Sequence, residues 1–273
     1  MKPLSDIRCF LLDMDGTFYL GEQLLPGALD FMKYITASGR DYLFLTNNSS
    51  RSAHFYAKKL TAMGWSAAPS DILTSGEAAC LYLARQKSAA RVFLLGTPDL
   101  EAEFAAHGFT LTADAPDYVV LGFDKTLTYD KLTTACTLIR GGVPFIATHP
   151  DINCPTEDGF IPDCGAMIEL IAASTGVRPH IIGKPHRDIV AAVLARTGHS
   201  AAATAIVGDR LYTDIATGKN AGITSILVLS GETKAADLGS TAVAPDYIFA
   251  GLGTLQLALA AGDRQEDSFP SGG

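Results

Sequence analysis

No CxxC, HxH or HExxH spacing occurs anywhere in this sequence, so neither a zinc framework nor a paired redox motif is readable from it. The five cysteines, Cys9, Cys80, Cys136, Cys154 and Cys164, are odd in number and scattered. They read as reduced thiols, which points to the cytoplasm. His149, His180 and His186 lack metal-ligand spacing and read as structural or solvent-facing. Basic residues are also short: 21 Lys and Arg stand against 29 Asp and Glu, a net charge of −8. That balance argues against a nucleic-acid or anionic-membrane partner, either of which would need a basic face, although a local basic pocket for an anion stays open. No apolar run is both long and charge-free enough to span a bilayer. The opening MKPLSDIRCFLLD has no long apolar core and no small-residue cleavage site, so no signal peptide is expected. The glycine-rich turns, Gly141-Gly142 among them, match no dinucleotide fingerprint, and no repeat of solenoid period is present. The one tryptophan, Trp65, is expected to pack at a helix end.

What is present is an alternation. Short β-rich runs are separated by helical stretches, which argues for an α/β fold around mostly parallel strands. Cys9–Leu12 reads as a strand. It precedes a helix opening at Pro26, in which Ala28, Leu29, Phe31, Met32 and Ile35 keep helical spacing and Gly39 closes the pattern. Tyr42–Leu45 reads as a strand before a helix from about Arg51 to Met63. RVFLL, YVVLGF and PFIAT follow as further strands. After Gly183 come a helix over Arg187–Arg196, the strand Ala205–Val207, a helix near Asp214–Asn220 and the strand Ser225–Leu229. The tail from Gly262, polar and rich in Gly and Ser, is expected to be mobile. At 273 residues the chain can hold one large domain or two moderate ones.

The first strand ends in FLLDMDGT. Two carboxylates one residue apart, at the tip of an apolar strand, need a partner cation, a shared proton or bulk water. Other strands also end in polar groups. Thr46-Asn47-Asn48-Ser49 follows YLFL, Lys184 stands in GKP before a helix, and Asp209 and Asp214 stand in GDRLYTD after AIV. In an open parallel sheet the carboxyl ends of the strands converge on one crevice. Carboxylates for a hard cation, hydroxyl, amide and main-chain donors for an anion, and one lysine make an inventory for phosphate plus magnesium.

DMDGT, LTNNS, GKP and GDRLYTD, in this order, resemble the four motifs of the haloacid dehalogenase superfamily of phosphatases. The forms DMDGTFYLG and GDRLYTDI are similar to its NagD-like, p-nitrophenylphosphatase-like branch. The matching order and spacing run from Asp13 to about Gly231. The resemblance implies an Mg2+-dependent phosphomonoester hydrolase working through an aspartyl phosphate, with Asp13 as nucleophile and Asp15 as general acid and base. It implies that magnesium is held by Asp13, the Asp15 carbonyl and Asp209. Thr46 and Asn47 would hold phosphoryl oxygens, Lys184 would neutralise the transferring group, and Asp214 would orient Lys184 or a metal-bound water.

The resemblance also implies a Rossmann-like, doubly wound, mostly parallel core with a smaller α/β cap inserted after the second motif. The core would comprise 1–74 and 183–261, the cap 75–182, and the mobile tail 262–273. Thr148–Ala166 would form a long structured loop of that cap, in which Asp151, Asn153 and Asp163 are candidates for substrate contact or loop orientation, or are simply turn-forming residues. The expected partner is a small phosphate ester, not nucleic acid or membrane, and relatives that pair through their caps suggest a homodimer. Two other classes compete. A phosphoaspartate signalling receiver would be shorter and have no inserted cap, and a binding module without turnover would lack Asp13 or Asp15. Within the family, a dehalogenase would not be expected to have Asp15, and a phosphomutase would carry its cap after the first motif. Nucleoside monophosphate, sugar phosphate, pyridoxal phosphate, phosphoglycolate and glycerol phosphate all remain open as substrates.

Overall fold

The computed structural model describes residues 2–156, 159–240 and 243–267. They form two compact units: 2–45, 58–67 and 193 onward in the first, and 46–57 with 68–192 in the second. These units follow packing. The boundaries read from the motifs, at 75 and 183, differ from them by 46–57, 68–74 and 183–192, which belong to the second unit.

In the first unit, parallel strands run in the order Tyr247–Phe249, Thr224–Val228, Thr204–Gly208, Cys9–Leu12, Asp41–Thr46. Cys9–Leu12 is buried along its whole length, as an uninterrupted apolar run covered on both faces should be. Its register sets Leu12 beside Val207 on one side and Phe44 on the other. The chain leaves this strand toward Asp41–Thr46 on one flank and builds Thr204–Gly208, Thr224–Val228 and Tyr247–Phe249 on the other. The switch in winding direction therefore falls where Leu12 and Gly208 end, the place where open α/β sheets bind ligands.

The helix Ala28–Ala37 forms where expected, with Ala28, Phe31, Met32 and Ile35 buried on one face. Phe31 meets Phe10 edge-on at 5.5 Å between ring centroids, and burying each such ring is worth about 2–3 kcal/mol. Trp65 follows the helix Ala53–Ala62, its main-chain N–H bonded to Leu60 O at 3.0 Å and its ring against Tyr42.

The expected tail is different. Helix Leu252–Asp267 runs through its first residues and packs on Ala28–Ala37. Asp263 accepts two hydrogen bonds from the Arg40 guanidinium, at 2.7 and 2.9 Å, and one from Tyr34 Oη at 2.5 Å. A polar composition concealed a carboxylate with a buried partner. Residues 268–273 lie outside the described residues.

The second unit holds another parallel sheet, in the order His180–Ile181, Phe145–Ala147, Tyr118–Leu121, Arg91–Leu95, Thr110–Leu111. Helices Tyr129–Arg140 and Cys164–Thr175 bury Ala135, Ile139, Ile168 and Ile171 against Leu95, Val119, Leu121 and Phe145. The stretch expected as a long loop is a β-hairpin, Asn153–Thr156 paired antiparallel with Gly159–Pro162, followed at once by a helix that Asp163 caps through its bond from Cys164 N. Its exposed residues carry no inward-outward alternation that would announce strands. Glu157 and Asp158 of that stretch lie outside the described residues.

Candidate active site

Asp13 continues the central strand by one bond, its N–H donating to Val207 O at 2.9 Å. Asp209 follows Gly208 on the neighbouring strand, so the pairing of Leu12 with Val207 brings both side chains to the switch point. Asp214 arrives by another route. Leu211–Ile215 forms a single π turn, with Ile215 N bonded to Arg210 O at 3.2 Å, where a regular helix start near Asp214 was expected. Such turns re-aim side chains and recur at functional sites. The result is that Asp13, Asp209 and Asp214 each bring a carboxylate oxygen within 4.8 Å of the others.

Two glycines make room for this cluster. Gly16 has φ +83°, and a Cβ there would stand 2.4 Å from Asp209 Oδ2; a Cβ on Gly231 would stand 2.0 Å from the same oxygen. Asp209 Oδ2 accepts from Glu232 N at 2.6 Å, and Asp214 Oδ2 from Arg210 N at 3.2 Å. Three carboxylates this close, two of them buried, call for a cation. An all-oxygen donor set suits a hard divalent ion such as magnesium and is a poor match for zinc.

The carboxyl of Asp15 lies outside that cluster. It is exposed by surface area, yet enough protein surrounds it for burial to raise its pKa, against the pull of Lys59 and Arg210. Burial alone would lower the pKa of Arg210; Asp13, Tyr212, Asp209 and Glu232 together raise it. Its Nε lies 3.0 Å from Glu232 Oε2. Arg210 is thus a resident positive charge beside the acidic group. It stands inside GDRLYTD and was open to being read there. Lys59, whose ammonium lies 4.1 Å from the Tyr19 ring centroid, and Glu232 gave no sequence signal.

Thr46, Asn47 and Lys184 belong to the second unit, and there they come together. Asn47 and Lys184 are almost fully buried. The Asn47 side-chain nitrogen donates to Asp151 (3.0 Å to Oδ1, 3.2 Å to Oδ2) and to Lys184 O (3.0 Å), and its oxygen accepts from Lys184 N at 2.9 Å. With both amide protons engaged, what position 47 can offer a phosphoryl oxygen is its main-chain N–H. Thr46 Oγ1 accepts from Asn48 N at 3.1 Å, which leaves its hydroxyl proton to be given elsewhere.

Asp151 therefore orients the Asn47 side chain, while Asp163 caps a helix and faces His149 Nε2 at 2.9 Å. Asn153 lies exposed in the hairpin. His149 is fully buried; burial would lower its pKa, but the hydrogen bond and charge of Asp163 and the charge of Asp151 raise it. His149, Asp151 and Asp163 also bring ligand atoms within 4.8 Å of one another, but those atoms are engaged with each other, with Cys164 and with Asn47.

The chain is similar to known hydrolases. A model of the haloacid dehalogenase-like hydrolases matches residues 10–110, and a second, HAD-hydrolase-like model matches 181–255. The acid sugar phosphatase of Staphylococcus aureus (strain MRSA252) is 36% identical over 247 residues, 90% of this chain and 95% of that protein. The chain belongs to the haloacid dehalogenase-like hydrolases. Within that family it lies with the p-nitrophenylphosphatases and NagD-like proteins. The solved structure of a 4-nitrophenylphosphatase from Thermotoga maritima shares 47% identity at a TM-score of 0.92, covering 95% of this chain and all of that one (100%). A glycerol phosphate phosphatase from Mycobacterium tuberculosis, solved in complex with magnesium, shares 36% identity at a TM-score of 0.86, covering 94% of this chain and 79% of that one. Both family models span motifs at strand ends, which is where the two polar clusters of this haloacid dehalogenase-like chain are built.

Proposed function

We propose that the chain is a magnesium-dependent phosphatase that hydrolyses small phosphate monoesters through an aspartyl phosphate on Asp13. The observation that carries the reading is the convergence of Asp13, Asp209 and Asp214 at the switch point of a parallel sheet. Magnesium, when bound, supplies positive charge that lets an anionic nucleophile approach an anionic phosphate. Asp13, the Asp15 main-chain carbonyl and Asp209 would hold it, with Asp214 beside them. The likeness to a phosphatase solved with magnesium supports that choice of ion.

In the first step a carboxylate oxygen of Asp13 attacks phosphorus, the ester P–O bond breaks, and the leaving alkoxide takes a proton from Asp15. In the second, water attacks the phosphorus of the aspartyl phosphate while Asp15 accepts its proton, releasing inorganic phosphate and restoring Asp13. A carboxyl whose pKa is raised by burial suits that alternation of acid and base. Thr46 and the main-chain N–H of Asn47 serve the phosphoryl oxygens, Lys184 neutralises the transferring group, and Asp214 orients Lys184 or a metal-bound water. The core-and-cap division of the chain, 1–74 with 183–261 against 75–182, is part of the same reading.

Named relatives act on sugar phosphates, nitrophenyl phosphate and glycerol phosphate, which supports a small organic phosphate as substrate class. Among the described residues no helix is long and apolar enough to cross a membrane, and all five cysteines are free thiols. The reading is completed by a cytoplasmic location and a homodimer through the cap. The test is phosphate release from a panel of metabolite phosphates, with Asp13→Asn as control; release that the variant retains would remove Asp13 as nucleophile.

A further inference from the structure

Behind the 46–50 segment runs a chain of buried polar groups that the reaction above does not use. Asp163 caps the helix Cys164–Thr175 by accepting from Cys164 N at 2.6 Å. A capping carboxylate only accepts, so His149 Nε2, 2.9 Å away, carries the proton between them. The other ring nitrogen, Nδ1, lies 2.9 Å from Thr148 Oγ1 and 3.4 Å from Ser75 Oγ.

Both hydroxyls lead to the same short segment. Ser75 Oγ donates to the main-chain carbonyl of Asn47. Thr148 Oγ1 lies 3.0 Å from Ser49 Oγ, which itself accepts from Phe123 N at 2.9 Å. Ser75, Thr148 and His149 are fully buried, and Ser49 nearly so. In such surroundings a hydrogen-bond chain is stiff, because breaking any link leaves a polar group unsatisfied. An apolar side chain would fill the volume of His149 equally well, but it could bond neither Asp163 nor the two hydroxyls.

We propose that His149, oriented by Asp163, is a positioning residue: through Ser75 and Thr148 it fixes the main chain of Asn47–Ser49 and so aims the donors that a phosphoryl oxygen meets. The inference rests on the phosphatase reading for its consequence, but not for its geometry. His149 touches neither substrate nor reacting atoms. It holds the segment that does.

The test compares wild type with His149→Ala, His149→Gln and Ser75→Ala, in the full-length protein with magnesium. Amide hydrogen exchange of residues 46–50 is measured, together with the inhibition constant of inorganic phosphate and KM and kcat for p-nitrophenyl phosphate. Exchange in 46–50 is expected to quicken in His149→Ala and Ser75→Ala. The phosphate inhibition constant and KM should rise about tenfold, by more than kcat falls. His149→Gln, which keeps a donor toward Asp163, should recover most of the loss. Ser75→Ala removes only one hydroxyl, so it carries the test should His149→Ala fail to fold. Unchanged exchange in 46–50 with unchanged phosphate affinity, accompanied only by a lower Tm, would overturn the inference and leave His149 as packing. A wild type that neither releases nor binds phosphate would instead overturn the phosphatase reading. The exchange measurement needs no turnover and tells the two failures apart.

Discussion

Asn47 and Lys184, 137 residues apart in sequence, are joined by a two-way bond: the Asn47 amide donates to Lys184 O at 3.0 Å while its carbonyl oxygen accepts from Lys184 N at 2.9 Å. A side-chain amide can mimic a β-ladder in this way because it carries a donor and an acceptor at the spacing of a peptide group. The remaining amide proton goes to Asp151. Position 47 thus locks the main chain that carries the lysine.

Asn47→Asp should accordingly be worse than Asn47→Ala. A carboxylate has no proton for Lys184 O and would face the Asp151 carboxylate, whereas alanine leaves the bonds unmade without adding repulsion. Activity on p-nitrophenyl phosphate is expected to fall by about 10²–10³ in Asn47→Asp, and less in Asn47→Ala. Near-normal turnover by Asn47→Asp would show that the lock is dispensable.

Asp15→Asn should slow both halves of the reaction, because the same carboxyl gives a proton to the leaving group and takes one from water. With good leaving groups such as p-nitrophenolate the first half needs its acid less, so the deficit should be greatest on alkyl phosphates. An equal loss on aryl and alkyl esters would argue against Asp15 as the acid.

Gly16→Ala should cost activity more than stability. A Cβ at that position would collide with Asp209 Oδ2, and φ there is +83°. We expect a rise in the magnesium concentration needed for half-maximal activity, with a Tm loss corresponding to about 1–2 kcal/mol of strain. Unaltered magnesium dependence would mean that the Asp209 carboxylate takes no part in holding the ion.

The Arg40–Asp263 pair predicts a pH signature. Hydrogen bonds from Arg40 lead the effects that lower the Asp263 pKa in the folded protein, with Tyr34 and nearby positive charge adding to them against burial. A depressed folded value means that the pair stabilises fully above the unfolded aspartate pKa of about 3.9 and loses this as pH falls through the folded value. Asp263→Asn should therefore lower Tm at pH 7, by an amount corresponding to about 1–3 kcal/mol, and the difference from wild type should shrink on acidification below pH ~4. A difference that stays constant down to pH ~3 would exclude the linkage.

Much of this was legible because strands covered on both faces announce themselves. CFLL and AIV have no other way to be buried, and the aspartates at their ends stand out against apolar runs. The hairpin 153–162 was not legible: its strands are exposed and short, with prolines at 155 and 162, so no face is marked by burial. The order of the tail at Asp263 was not legible either, since its buried partner Arg40 lies 223 residues away. The π turn that delivers Asp214 depends on the spacing of one main-chain bond, for which no side-chain pattern stands. His149 looked ordinary because its partners, Ser75 and Asp163, are local to nothing but the fold.

The nucleophile and the metal are tested together by phosphate release from p-nitrophenyl phosphate by wild type with magnesium, by wild type with EDTA, and by Asp13→Asn with magnesium. Release is expected in the first case, abolished by chelation and restored by magnesium, with none above background from a variant that keeps the wild-type circular dichroism. Turnover that survives EDTA, or that Asp13→Asn retains, would contradict it.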